Sequence, residues 1–66
     1  MNVNEERFFQ YALALRTRQV RVGLSSSGEL LEGEVVNAMF DSFLLRTPKG
    51  NRVVRFEEIT FLDAID

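Results

Sequence analysis

Leu31-Glu32-Gly33-Glu34-Val35, followed by Phe40-Asp41-Ser42-Phe43-Leu44-Leu45, decides how this chain folds. The first segment alternates apolar and charged side chains around a glycine, which reads as a strand that bends or bulges. Asp41-Ser42 then turns the chain, and Phe43-Leu44-Leu45-Arg46 returns as a second apolar strand. A glycine in mid-strand is what a short sheet needs to curl into a barrel. Upstream, Ser25-Ser26-Ser27-Gly28 has hairpin-turn composition and joins the bent strand, about Glu29 to Met39, to an earlier one. In that earlier strand Val20, Val22 and Leu24 alternate with Arg21 and Gly23. Downstream, Pro48-Lys49-Gly50-Asn51 forms the next turn, and Arg52-Val53-Val54-Arg55-Phe56 is the fourth strand. Glu57-Glu58 interrupts, and Ile59 to Ile65 is the fifth. Ile59, Phe61 and Ile65 alternate with Leu62 and Ala64 there, so the last strand is apolar on both faces and calls for cover on both.

Ahead of the strands, Asn4 followed by Glu5 and Glu6 predicts a helix start, a capping side chain with acids beside the positive end of the dipole. Phe8, Tyr11, Ala12 and Leu15 lie at i, i+3, i+4 and i+7, with Phe9 and Leu13 widening the stripe. The run closes in Arg16-Thr17-Arg18, cations that suit a helix C-terminus. A helix this short is marginal alone in water, so its apolar stripe is expected to cover the open barrel. The fold class is therefore mostly β with one N-terminal α-helix: a five-stranded, bent antiparallel barrel of SH3-like type. Residues 1–66 form one domain, with the helix over about 4–18 and the strands over about 19–66.

Composition narrows the function. A chain of 66 residues buries only roughly 60% of its unfolded surface, and small domains make up the deficit with disulfides, a metal or oligomerisation. The sequence holds no cysteine and no histidine, which removes disulfides, thiol catalysis and the usual zinc ligands together. No carboxylate spacing resembles a calcium loop, and no nucleophile–base pair can be assembled, so neither a cofactor nor an enzyme is expected. Oligomerisation remains, with 45% hydrophobic residues to supply the surface. No apolar run is long enough to span a membrane and no leader pattern is present, so a cytoplasmic protein is expected. The net charge of −2 argues against a surface built wholly for phosphate but allows local basic patches.

A helix followed by five short strands in this order resembles the Sm-like (LSm/Hfq-like) superfamily, nearest in layout to its bacterial Hfq family of RNA chaperones. Leu15-Arg16-Thr17-Arg18-Gln19-Val20-Arg21-Val22 is similar to that family's helix end running into strand one. Gly28-Glu29-Leu30-Leu31-Glu32-Gly33 has its Gly-x-x-x-x-Gly spacing, and Phe40-Asp41-Ser42-Phe43 its Phe-Asp-x-Phe turn. The resemblance implies a homo-oligomeric ring, in which strand four of one subunit pairs with strand five of the next, and single-stranded RNA as the ligand. Here that means self-assembly into about five to seven subunits, with Val53, Val54, Phe56, Ile59, Phe61 and Leu62 at the interface. It places Ser42, Phe43 and Arg55 at an RNA-binding pore, where Phe43 would stack on a base. Arg16 and Arg18 fall on an RNA-binding rim, where repeated cations would hold phosphates.

The sequence also departs from the family. It carries about two residues more between Gly33 and Phe40, and the family's Tyr-Lys-His ahead of strand five is replaced by Arg55-Phe56-Glu57. The Asp-x-Asn of the superfamily's uridine pocket is missing, since Ser42, Phe43 and Leu44 follow Asp41, and the Ser25-Ser26-Ser27 hairpin beside Leu30 offers no aromatic for the family's other RNA face. These departures support an alternative: an Sm-like oligomer that binds protein partners, with RNA binding reduced or absent.

Overall fold

The computed structural model describes residues 3–65, with side chains from residue 6 onward. Helix α1 spans Val3–Ala14 and is followed by β1 (Gln19–Leu24), β2 (Leu30–Ala38), β3 (Ser42–Thr47), β4 (Gly50–Arg55), a 3-10 turn (Phe56–Glu58) and β5 (Ile59–Ala64). All strand pairs are antiparallel, in the order β4-β3-β2-β1-β5. One helix and a single bent five-stranded sheet are what the sequence patterns predict.

Strand β2 makes the bend by changing partners along its length. Its first half pairs with β1, from Gly23↔Leu30 to Gln19↔Glu34, and its second half with β3, from Glu34↔Arg46 onward. At the corner Gly33 lies against the β3 backbone, and a Cβ there would sit 2.9 Å from the Arg46 carbonyl carbon and closer still to its oxygen. Glycine is needed at this position for close approach of two backbones. The register shift falls slightly later, between Val35 and Asn37, where Val36 is the extra residue. A bulge of this kind adds local twist and switches which side chains face inward.

A second shift separates Gly23↔Phe61 from Leu24↔Ile59 and leaves Thr60 as the extra residue of β5. Its hydroxyl donates to the Gly23 carbonyl at 3.3 Å. Ile59 thereby joins Leu62 on the buried side, while Phe61 and Ala64 are half-buried and Ile65 is exposed. The strict alternation expected for β5 is corrected by one inserted residue.

The core is formed by Val20, Val22, Val35, Phe43, Leu45, Val54 and Phe56, all almost solvent-free, and α1 closes it with Ala12 and Leu15. Burying a leucine such as Leu15 contributes about 1.5–3 kcal/mol, which is why a helix too short to persist in water is stable here. Phe9 meets Phe56 edge to face at 6.3 Å, fixing the helix over the 3-10 turn.

The helix ends earlier than its sequence suggests. Residues 15–18 form a turn in which Thr17 takes a left-handed conformation, φ 69°. The Thr17 amide donates to the Val35 carbonyl at 2.7 Å, and the Val35 amide donates to the Arg18 carbonyl at 3.1 Å. The arginines at 16 and 18 therefore stand beyond the last helical residue, on a turn clamped to the corner of β2. The expected Asn4 cap falls on a side chain outside the described residues. Among the described residues no helix is long and apolar enough to cross a membrane.

Candidate nucleic-acid interface

Three local structures carry the expected site residues: the β2–β3 turn with the 3-10 turn, the helix-exit turn, and the two sheet edges. The first two turns are joined by backbone, since the Phe56 amide donates to the Asp41 carbonyl at 3.0 Å. Ser42 pairs with Arg55 across β3 and β4, so the structure does bring these two expected pore residues together. Ser42 is 5% exposed and its hydroxyl donates to the Asp41 carboxylate at 3.2 Å, which is turn chemistry. Arg55 is exposed, but its guanidinium pairs with Glu57 at 3.2 Å. Its backbone amide is held by the Glu58 carboxylate at 3.2 Å.

Phe43 corrects the expectation drawn from the Phe-Asp-x-Phe turn. Its ring is fully buried and stacks on Phe56 at 5.6 Å, 26° from parallel. A ring with no accessible face cannot receive a base, and assembly can only bury it further. The alternation of β3 gives the reason: Phe43 lies two residues from Leu45, and both point into the core. The aromatic left outside is Phe40, 69% exposed at the tip of the turn beside the exposed Met39. In the sequence Phe40 enters only as part of the motif; its place at the apex of the three-residue connection Met39–Asp41 is the signal that points to it.

At the helix exit, Arg16 and Arg18 are both exposed. Arg16 has no ion-pair partner among the described residues. Across the sheet the cations are matched: Arg21 with Glu32 at 2.8 Å, Arg46 with Glu34 at 3.4 Å and Arg52 with Glu29 at 3.7 Å. Exposed pairs of this kind add little stability, about 0–1 kcal/mol each. Their effect here is to cancel the charge of the strand arginines where a phosphate would otherwise be drawn. The groove between Leu30-Leu31 and Pro48-Lys49, about 510 Å³, likewise has Glu29 and Glu32 on its walls.

Strands β4 and β5 are the two ends of the sheet, so each presents one unpaired backbone edge. Of the side chains expected at an interface, Val53 is 56% exposed and Phe61 half-buried, within reach of a neighbour. Val54, Phe56, Ile59 and Leu62 are instead part of the chain's own core. That is a correction: the side chains of these four serve the chain's own core, and of them only Val54, Ile59 and Leu62 lie on the edge strands, Phe56 being in the 3-10 turn with its amide given to Asp41. Among the described residues no group of three His, Cys, Asp or Glu is placed to hold a metal ion.

A short helix laid over a bent five-stranded sheet, with strands four and five at its open edges, is the Sm fold in its Hfq-like form. Among solved structures the chain is similar to a 1.55 Å crystal structure of the pleiotropic translational regulator Hfq. The TM-score is 0.68 over 88% of this chain and 93% of that one, at 12% sequence identity. At that identity the likeness shows the fold. No family model matches the sequence, and no curated protein matches it.

Proposed function

We propose that copies of this chain close into a homo-oligomeric ring of about five to seven subunits, β4 of one pairing with β5 of the next. The ring binds single-stranded RNA along its rim, as a cytoplasmic RNA chaperone or riboregulator that performs no chemistry and needs no cofactor. The observation that carries this reading is the sheet order, which leaves β4 and β5 as complementary open edges on an Hfq-like fold. Arg16 and Arg18 lie on one clamped turn, so a ring repeats that turn once per subunit and the phosphate contacts act together. Titration of labelled oligo-uridine and oligo-adenine at two salt concentrations tests it. Micromolar or tighter binding that weakens with salt supports the reading, and Arg16→Glu with Arg18→Glu should abolish the rim contribution. No binding at low salt defeats it.

A second reading, an Sm-like oligomer that recognises protein, is favoured by the β2–β3 turn. There Phe43 is closed off, Arg55 is matched by Glu57, and Met39 and Phe40 stand exposed beside Asp41. A ring that forms but ignores RNA would establish this reading over the first.

A further inference from the structure

The tip of the β2–β3 connection carries side chains that a turn does not need. Tight turns favour glycine, asparagine, aspartate and serine, yet Met39 and Phe40 precede Asp41 here. Met39 is 41% exposed, and Phe40, at 69%, is the most exposed of the large apolar residues described. Neither belongs to the core cluster. The tip that holds them is fastened at both ends. The Met39 amide donates to the Ser42 carbonyl at 2.7 Å, the Asp41 carbonyl accepts from the Phe56 amide, and the Asp41 carboxylate accepts from the Ser42 hydroxyl. An aromatic ring and an adaptable thioether, kept side by side in water on a fastened turn, stabilise nothing within the described chain.

The charge around the tip selects its occupant. The bond from Phe56 to Asp41 sets the 3-10 turn against the tip, and Glu57 and Glu58 come with it. With Asp41 these make three carboxylates, against which the junction offers the guanidinium of Arg55, opposite Ser42. The other elements packed here leave that balance unchanged. Helix α1, seated on the 3-10 turn through Phe9, carries Glu6 and Arg7 among its described side chains, and their charges cancel. The β1–β2 hairpin, whose Ser25 amide donates to the Glu58 carbonyl, has no cation from Ser25 to Glu29. Arg16 and Arg18 are clamped at Val35, four residues up β2 from Met39 and so roughly 13 Å along the strand. That separation exceeds the screening length of physiological salt, about 8 Å.

Resting on the protein-binding reading above, we propose that the Met39-Phe40-Asp41 tip is the docking point for a basic, apolar segment of a partner polypeptide. The segment lays an aliphatic or aromatic side chain on the Phe40 ring and brings arginine or lysine to the carboxylates of Asp41, Glu57 and Glu58. The apolar pair supplies most of the affinity, and the acids select the partner's charge. RNA is the disfavoured occupant, because it would carry phosphates into a local surplus of negative charge.

Random peptides displayed on phage are selected on the full chain, and those enriched are synthesised with a label and titrated by anisotropy. They are expected to combine arginine or lysine with leucine, isoleucine or phenylalanine. Phe40→Ser should bind them about tenfold more weakly. Asp41→Asn, which keeps an oxygen for the Ser42 hydroxyl, should weaken binding and flatten its dependence on salt. Circular dichroism checks that each variant is folded. Enriched peptides that are acidic, or that bind Phe40→Ser as tightly as the parent, overturn this site and leave the protein-binding reading standing. Enrichment of no peptide overturns both. Oligo-uridine affinity that falls tenfold in Phe40→Ser gives the tip to RNA and overturns the proposal. A reduced solution mass in folded Phe40→Ser also overturns it, by placing the ring between subunits.

Discussion

Gly33→Ala tests the corner of β2, on which the barrel depends. The new methyl would stand 2.9 Å from the Arg46 carbonyl carbon and 3.2 Å from Leu45 Cγ, with the Arg46 oxygen nearer still. Neither neighbour can yield easily. Arg46 is paired on both sides, with Glu34 in β2 and Asn51 in β4, and Leu45 is fully buried. Forcing a methyl into such a site costs about 1–3 kcal/mol in overpacking. The entropy advantage of alanine over glycine returns about 0.4–1 kcal/mol. With the added loss of ladder geometry at the corner, a net destabilisation of about 2 kcal/mol is expected, against a total of about 3–10 kcal/mol for a chain of this length. The assay is urea unfolding at one fixed protein concentration, because assembly makes the midpoint concentration-dependent. With a slope of about 1 kcal/mol per M, the midpoint should fall by about 2 M. Gly28→Ala is the control: φ is +70° and nothing lies within 4 Å of its added Cβ, so only left-handed strain of about 1 kcal/mol applies. If Gly33→Ala unfolds within about 0.5 kcal/mol of the parent, or is the milder of the two, the close-approach argument is wrong.

Phe43→Leu should lower stability by about 1–2 kcal/mol by shrinking a buried ring, while oligo-uridine affinity of the folded fraction stays unchanged. A tenfold loss of affinity in a folded variant would return Phe43 to the binding site. Thr17→Gly should raise the free energy of unfolding by about 0.5–1 kcal/mol, because a β-branched residue at φ 69° is strained and glycine is not; a lower midpoint in urea unfolding would contradict this. Val53→Lys should leave the circular dichroism spectrum intact, since the side chain is 56% exposed, yet reduce the mass measured by light scattering. An undiminished mass would remove Val53 from the interface.

Side-chain periodicity made the helix and the five strands legible, and turn composition the three hairpin connections, because each is a local property of the chain. Gly33 was also identifiable as the corner, although its role is contact with the Arg46 backbone and the bulge itself falls at Val36. The burial of Phe43 was legible in its two-residue spacing from Leu45, but the resemblance of the turn outweighed that alternation. The face of Ile59 was not legible, because the extra residue Thr60 brings it to the buried side and an inserted residue reverses the side chains beyond it. Arg16 and Arg18 were found by their composition, but their clamping to Val35 is a tertiary contact that spacing does not encode. Tyr11 lies in the apolar stripe yet is 42% exposed, because only packing defines that stripe's centre, at Ala12 and Leu15.

Solution mass by sedimentation or native mass spectrometry tests edge pairing most directly. Pairing of β4 with β5 of the next copy predicts a closed species of about five to seven times the 7.6 kDa chain, stable on dilution and lost in Val53→Lys. A folded protein that sediments at the mass of one chain at all concentrations would contradict it.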